Sequence, residues 1–145
     1  MPNLLTIAEI QARIDLSPFN LLLGLRAEAV DEERFLLRCS MRPELCGSPT
    51  TQAVHGGVLA ALVDISASFA VIARTGQSIA TVDLRIDYHR PGIAREFLAE
   101  AKLVRLGRTL ATADARISDD AGTLVSSGRA VFMHVPHAPA AEASR

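Results

Sequence analysis

Charge of one sign is what this chain lacks most plainly: 15 basic and 16 acidic residues are interspersed, for a net charge of −1. That balance leaves no electrostatic footprint for nucleic acid or an anionic membrane surface, so neither is an expected partner. Lysine is nearly absent, fourteen of the fifteen basic residues being arginine. Arginine suits phosphate, and biased genomic composition accounts for the same preference. Cysteine is scarce: Cys39 and Cys46 have no metal-like spacing with the four histidines. They read as two ordinary thiols of a cytoplasmic protein, with no disulfide and no metal. Met1–Thr6 lacks a basic segment followed by an apolar core, so no secretory signal is expected. No internal repeat is present, and no glycine-rich nucleotide loop follows a strand. The 145 residues suffice for one domain with a proper core, expected over residues 1–135.

What is present is one long apolar run. After His55-Gly56-Gly57, the residues from Val58 to Ala73 are broken only by Asp64, Ser66 and Ser68, with no proline or glycine. The Ala/Leu content favours helix, and the length exceeds a buried strand. A helix apolar on nearly all sides is a buried one, and a carboxylate near its middle makes it a poor membrane span. The expectation is a central helix wrapped by sheet, leaving at Gly76.

Asp64 then carries the most information. An ionised carboxylate in apolar surroundings is costly unless paired or hydrogen-bonded. It can cap a neighbouring loop or reach water at the helix edge; it can also do chemistry. Gly56 and Gly57 sit at the helix N-terminus, where free N–H groups and the helix dipole favour negative charge and glycine admits a ligand close to the backbone. An amide donor that polarises a carbonyl, with a carboxylate that attacks it or activates water, suits acyl transfer. Seven residues separate Gly57 from Asp64, about 10 Å along one helix. Both groups cannot then reach one carbon from the same helix. The donor must come from one subunit and the carboxylate from another, across a two-fold interface.

Around that helix the chain reads in order. Leu5–Ile14 is a short helix with Thr6 as N-cap, ended by Ser17-Pro18. Leu21–Val30 and Arg34–Met41 read as strands about an Asp31-Glu32-Glu33 turn, and Arg42–Val54 as a loop. Ile79–Tyr88 alternates, with Val82, Leu84, Ile86 and Tyr88 on one face and Thr81, Asp83, Arg85 and Asp87 on the other. Arg90-Pro91-Gly92 reads as a turn. Strands follow at Glu96–Arg105, at Thr109–Ser118 (Ala111, Ala113, Ala115 and Ile117 inward) and at Thr123–Val135. Residues 136–145 are Pro/Ala-rich and expected to be disordered. Phe69 and Tyr88 read as core, and His89, His134 and His137 have no evident constellation. The fold class is α+β, a long antiparallel sheet of consecutive strands curled around one helix.

His55-Gly56-Gly57-Val58-Leu59-Ala60-Ala61-Leu62-Val63-Asp64, then Thr81-Val82-Asp83-Leu84-Arg85-Ile86-Asp87-Tyr88-His89-Arg90-Pro91, Leu106-Gly107-Arg108-Thr109 and Ser127-Gly128-Arg129-Ala130, resemble the hotdog-fold acyl-CoA thioesterases, in particular the PaaI-like branch of phenylacetate pathways. The likeness spans about residues 20–134. It implies hydrolysis of an acyl-CoA thioester without a cofactor. Asp64 would be nucleophile or general base, the Gly57 amide the donor to the thioester carbonyl, His55 a residue shaping the site, and Thr81 a hydroxyl assisting water or the carboxylate. It also implies a homodimer, commonly a dimer of dimers (a homotetramer), with sites at the protomer interface. Relatives often carry Asn or Gln where this chain has Pro49; with a shifted loop Gln52, Thr51 or Thr50 could substitute, and Gln52 is favoured. Gly56, Asp83, Arg90 and Arg108 are candidate substrate contacts, the arginines as charge-assisted donors to CoA phosphates.

Strand alternation opposes one of these roles, since it turns Thr81 away from the Val82 face. Thr81 would then reach the site only by a twist or from the partner. The competing reading of His55 is a simple loop cap, and that of Thr81, Asp83 and Arg85 a solvated strand face. Two other functions compete: a hydratase or dehydratase of acyl thioesters, for which no second His-bearing loop is found, and a non-catalytic acyl-CoA-binding module, which the acid at position 64 disfavours.

Overall fold

A computed structural model describes residues 4–134; the expected disordered tail lies outside the described residues. The chain opens with α1 (Ile7–Ile14), started by Thr6 and Glu9 in reciprocal side-chain-to-backbone bonds, a capping box that satisfies two orphan donors. Ile10 and Ile14 are its buried residues.

The expected strand from Leu21 is corrected. Residues Pro18–Leu23 form a second helix, α2, and only Arg26–Val30 is strand β1. Ser17 caps α2 by accepting from the Asn20 N–H, Pro18 occupies its first turn, and Gly24 ends it at φ 65°. Proline preset for the first turn and glycine free at positive φ turn the apolar run Leu21–Leu23 into helix.

Strand β2 (Phe35–Ser40), a single 3-10 turn at Pro43–Leu45 and the loop to Val54 lead to α3 (Gly56–Thr75), followed by β3 (Ile79–Tyr88), β4 (Glu96–Leu106), β5 (Leu110–Asp119) and β6 (Leu124–His134). All pairings are antiparallel, in the order β1-β2-β4-β5-β6-β3. The expectation of consecutive neighbours therefore holds for β4, β5 and β6 but not for β3, which crosses over to pair with β6 at the far edge. Arg90-Pro91-Gly92 belongs to that crossover. Residues 89–95 are longer than the usual hairpin loop, and Gly92 is bound to another element, its carbonyl accepting from Val54 N–H at 2.8 Å.

The sheet wraps α3. Its concave side is lined at the centre by Ala99, Ala101, Ala111, Ala113, Ala115 and Ala130, all at most 1% exposed. Small side chains there let the larger ones of α3 seat closely. Leu59, Leu62, Val63 and Val71 are buried against them, each worth about 1.5–3 kcal/mol on leaving water. Phe35, Phe97 and Phe132 fill the remainder. α3 has the length and apolarity of a membrane span, yet it is the core helix of this fold, with 56% of its apolar window buried. Cys39 is buried, and that burial pushes its thiol pKa up.

Candidate active site

Asp64 lies on the side of α3 that the sheet leaves partly open, in a half-buried line with Ala61, Ser68 and Ile72. Its Oδ1 accepts a hydrogen bond of 2.8 Å from Thr81 Oγ1. Thr81 therefore faces the helix within the same chain, which corrects the alternation argument. The cause is a bulge. Thr81 pairs with Phe132 and Asp83 with Val131, so Val82 is an extra residue without a partner. One inserted residue reverses the facing of everything before it. Val82 is turned outward and 59% exposed, while Thr81 shares the inner face with Phe132. The hydroxyl bond satisfies one oxygen of this half-buried carboxyl group.

The other end of the site is the tip of α3. His55 is its N-cap, and His55 Nδ1 accepts from the Gly57 N–H at 2.8 Å. This orients the imidazole and satisfies one of the orphan amides of the helix start. A Cβ on Gly57 would stand 3.0 Å from that nitrogen, so glycine is what lets the ring close over the amide. The adjoining carbonyl, Gly56 O, accepts a 2.8 Å bond from the Tyr88 hydroxyl. Tyr88 was expected in the core; it is 55% exposed, and its ring lies over the glycine tip because β3 ends there.

Gly57 and Asp64 occupy one helix, two turns apart, about 10 Å along its axis. The single chain does not bring them onto one reacting atom. The other candidates are dispersed. Gln52 is exposed in the loop before α3 at φ 55°. With Pro49, Met41, Ile93 and Arg95 it lines a cleft of about 760 Å³ that does not include Asp64 or Thr81. Asp83 is exposed on β3 beyond the bulge. Arg90 is exposed just after β3, its N–H donating to Val125 O, whereas Arg108 is in the β4–β5 turn. That turn is at the opposite end of the sheet, beside the α3–β3 connection, where His134 bonds to Gln77 Oε1 and to Gly107 O. The two arginines are therefore roughly an α3 length apart, about 30 Å. Among the described residues no group of His, Cys, Asp and Glu is placed to hold a metal ion.

Two contributors escaped the sequence reading. Tyr88 is one. Gly128 on β6 is the other: a Cβ there would come within 2.3 Å of Arg85 O and 2.8 Å of Val63 Cγ1. Its lack of a side chain lets β3 and the Val63–Asp64 turn of α3 converge. His89, for which no partner was expected, bonds through Nε2 to Ser127 Oγ at 2.8 Å.

Sequence and fold are both similar to those of known proteins. Residues 51–126 match the model of the thioesterase superfamily. The chain is 28% identical over 131 residues to the medium/long-chain acyl-CoA thioesterase YigI of Escherichia coli, covering 80% of this chain and 84% of that protein. Among solved structures, an X-ray structure of a thioesterase-superfamily protein superimposes with a TM-score of 0.86 at 36% identity, over 90% of this chain and 98% of that one. The PaaI protein of the E. coli phenylacetic acid degradation operon shares the fold, with a TM-score of 0.79 at 19% identity over 90% and 97% of the two chains.

Proposed function

The chain belongs to the thioesterase superfamily and is a thioester hydrolase, and from that premise we propose that it cleaves acyl-CoA to a free acid and coenzyme A at a site shared by two copies of the chain. The observation that carries the reading is Asp64, a carboxylate halfway into the core helix, held through Oδ1 by Thr81. Its Oδ2 has no hydrogen-bond partner among the described residues and is free to take a proton. In the step we infer, Asp64 removes a proton from water while the oxygen attacks the thioester carbonyl carbon. The developing oxyanion accepts from the Gly57 N–H, replacing His55 Nδ1 as its acceptor. The C–S bond then breaks, and the CoA thiolate leaves and takes the proton that Asp64 removed from water, which restores the carboxylate. Direct attack by Asp64, with hydrolysis of the resulting anhydride, uses the same groups.

The spacing of the two groups sets the symmetry. β3 is an edge strand with one side unpaired, a surface that invites pairing with a copy of itself. Antiparallel β3–β3 pairing lays the two α3 helices side by side in opposite directions. For Gly57 of one to face Asp64 of the other, the two-fold axis must pass midway, at Ala60–Ala61. Both are half-buried alanines, small enough for two helices to approach closely. Pairing of such dimers into tetramers, phosphate contacts by Arg90 or Arg108 from different chains, and a cytoplasmic place of action belong to the same proposal. The test is thiol release from a panel of acyl-CoAs by Asp64→Asn and Asp64→Ala. Loss of the acid–base group lowers turnover by about 10²–10⁴-fold while sedimentation still shows a dimer. Wild-type rates in either variant would overturn the assignment.

A further inference from the structure

Two elements leave the Thr81–Asp64 bond and meet again at one apolar pocket. α3 runs on from Asp64 through Ser68 to Ile72 along the side that the sheet leaves partly open, about 12 Å of helix. β3 covers the same ground in the opposite direction, since Thr81 follows Ser78 by about 10 Å of extended chain. Ile72 and Ser78 both line a cavity of about 360 Å³, which they share with Arg13, Leu16, Phe69 and Gln77. By either path the cavity begins about 10 Å from the acid. In the two-fold pairing about Ala60–Ala61, the partner's α3 ends beside the Asp64 turn and leaves the Ser68–Ile72 stretch uncovered.

The lining suits an aliphatic guest. Phe69 is 6% exposed, and its ring rests on that of Phe35 with the centroids 6.1 Å apart, so one wall is anchored in the core. Ile72 is half-buried, and Leu16 is 80% exposed between α1 and α2. Such exposure contributes little to the core, but it places an apolar side chain where a ligand can cover it. The polar lining groups are engaged with the protein: Arg13 Nη1 donates to Gly76 O at 2.9 Å, and Gln77 Oε1 is bonded to His134 Nδ1. Ser68, in the turn between acid and pocket, donates its hydroxyl to Ile65 O at 2.8 Å, which leaves that side chain no free donor.

An extended chain advances about 1.2 Å per bond, so with the thioester carbonyl at Asp64 about eight to ten bonds carry the end of an acyl chain into the cavity. We propose that the pocket formed by Leu16, Phe69 and Ile72 receives the far end of the acyl chain, and that these three residues select unbranched acyl-CoAs of about eight to twelve carbons. The inference rests on the reading of Asp64 as the acid of the hydrolase, and the experiment keeps the two apart.

Thiol release is measured over saturated acyl-CoAs from butanoyl to hexadecanoyl. Each methylene buried raises kcat/KM roughly fourfold, so the wild type climbs with chain length and levels off once the pocket is full. Ile72→Phe shortens the pocket, and the ratio of decanoyl-CoA to hexanoyl-CoA kcat/KM falls about tenfold or more. Leu16→Asp alters an 80% exposed position, where folding is not at stake, and sets a charge against the chain; the same ratio falls at least about threefold. A merely destabilising change lowers both substrates together and leaves the ratio where it was. An unchanged ratio in either variant, or a wild-type profile that does not rise from butanoyl to decanoyl, overturns the pocket. Calorimetric binding of the same series to Asp64→Asn reads chain length without turnover, and an affinity indifferent to chain length overturns the pocket as well. Wild-type thiol release by Asp64→Asn overturns the acid instead, and the chain-length ratios then still decide the pocket.

Discussion

Replacing Gly128 with alanine tests whether a close approach of backbone to backbone holds the acid in place. Gly128 is opposite Ile86 of β3 and Ala115 of β5. A Cβ at this position would be 2.3 Å from Arg85 O, 2.8 Å from Val63 Cγ1 and 3.2 Å from Ile86 Cδ1. Real Cβ atoms essentially never come within 3.0 Å of a neighbour, so the Arg85 carbonyl must retreat by at least 0.7 Å, the difference between 3.0 and 2.3 Å. The obstacle is main chain and has no rotamer to change. Overpacking of this kind costs about 1–3 kcal/mol, and loosening the adjacent ladder bond adds about 1 kcal/mol. The expected loss is therefore about 2–4 kcal/mol, a fall in Tm of roughly 10 °C for a chain of this size. Function suffers separately. Val63 precedes Asp64, and Arg85 is on the strand that carries Thr81, so the 2.8 Å bond between Thr81 and Asp64 is pulled apart and kcat falls. The assay is thermal unfolding at fixed protein concentration, since an oligomer's Tm depends on concentration, together with thiol release well below the transition. A Tm within 2 °C of wild type and undiminished kcat (thresholds of about one typical surface substitution) would refute the reasoning.

Two further outcomes follow from single contacts. Thr81→Val preserves the shape and removes the hydroxyl that holds Asp64, so kcat should fall about tenfold with Tm nearly constant, as for one bond to a charged group; steady-state kinetics beside a melting curve checks it, and unchanged kcat would show the bond idle. Ser126 Oγ is fully buried without a hydrogen-bond partner among the described residues, so Ser126→Ala should leave stability unchanged or raise it by up to about 1 kcal/mol, because an unmade hydrogen bond is removed; a clear loss in denaturant unfolding would contradict it.

The elements were legible where local chemistry is decisive. Thr6, and the apolar run between Gly56-Gly57 and Gly76, marked two helices that appear as read, whereas the Glu9 half of the first cap and the His55 N-cap of the second emerge only from the structure. The Ser17-Pro18 and Gly24 signals around α2 were present as well, and were outweighed by the apolar run Leu21-Leu22-Leu23, which was taken into the strand that follows. Alternation misplaced Thr81, because a bulge is a mismatch of count between two strands. Val82 looks like any strand residue until Phe132 and Val131 are set against its neighbours.

By itself the amino-acid sequence determined that one helix would be swallowed by sheet and that an acid would go in with it, since apolar character on every side of a helix leaves it no other place. Hydropathy and caps act over a few residues, and they are written locally. The placing of β3 beside β6, the turning of Thr81 toward Asp64, the close passage at Gly128 and the bond from Tyr88 to Gly56 were decided only in three dimensions. Each depends on pairing and contact between segments distant in the chain, where the free energy belongs to the pair and neither stretch alone contains it.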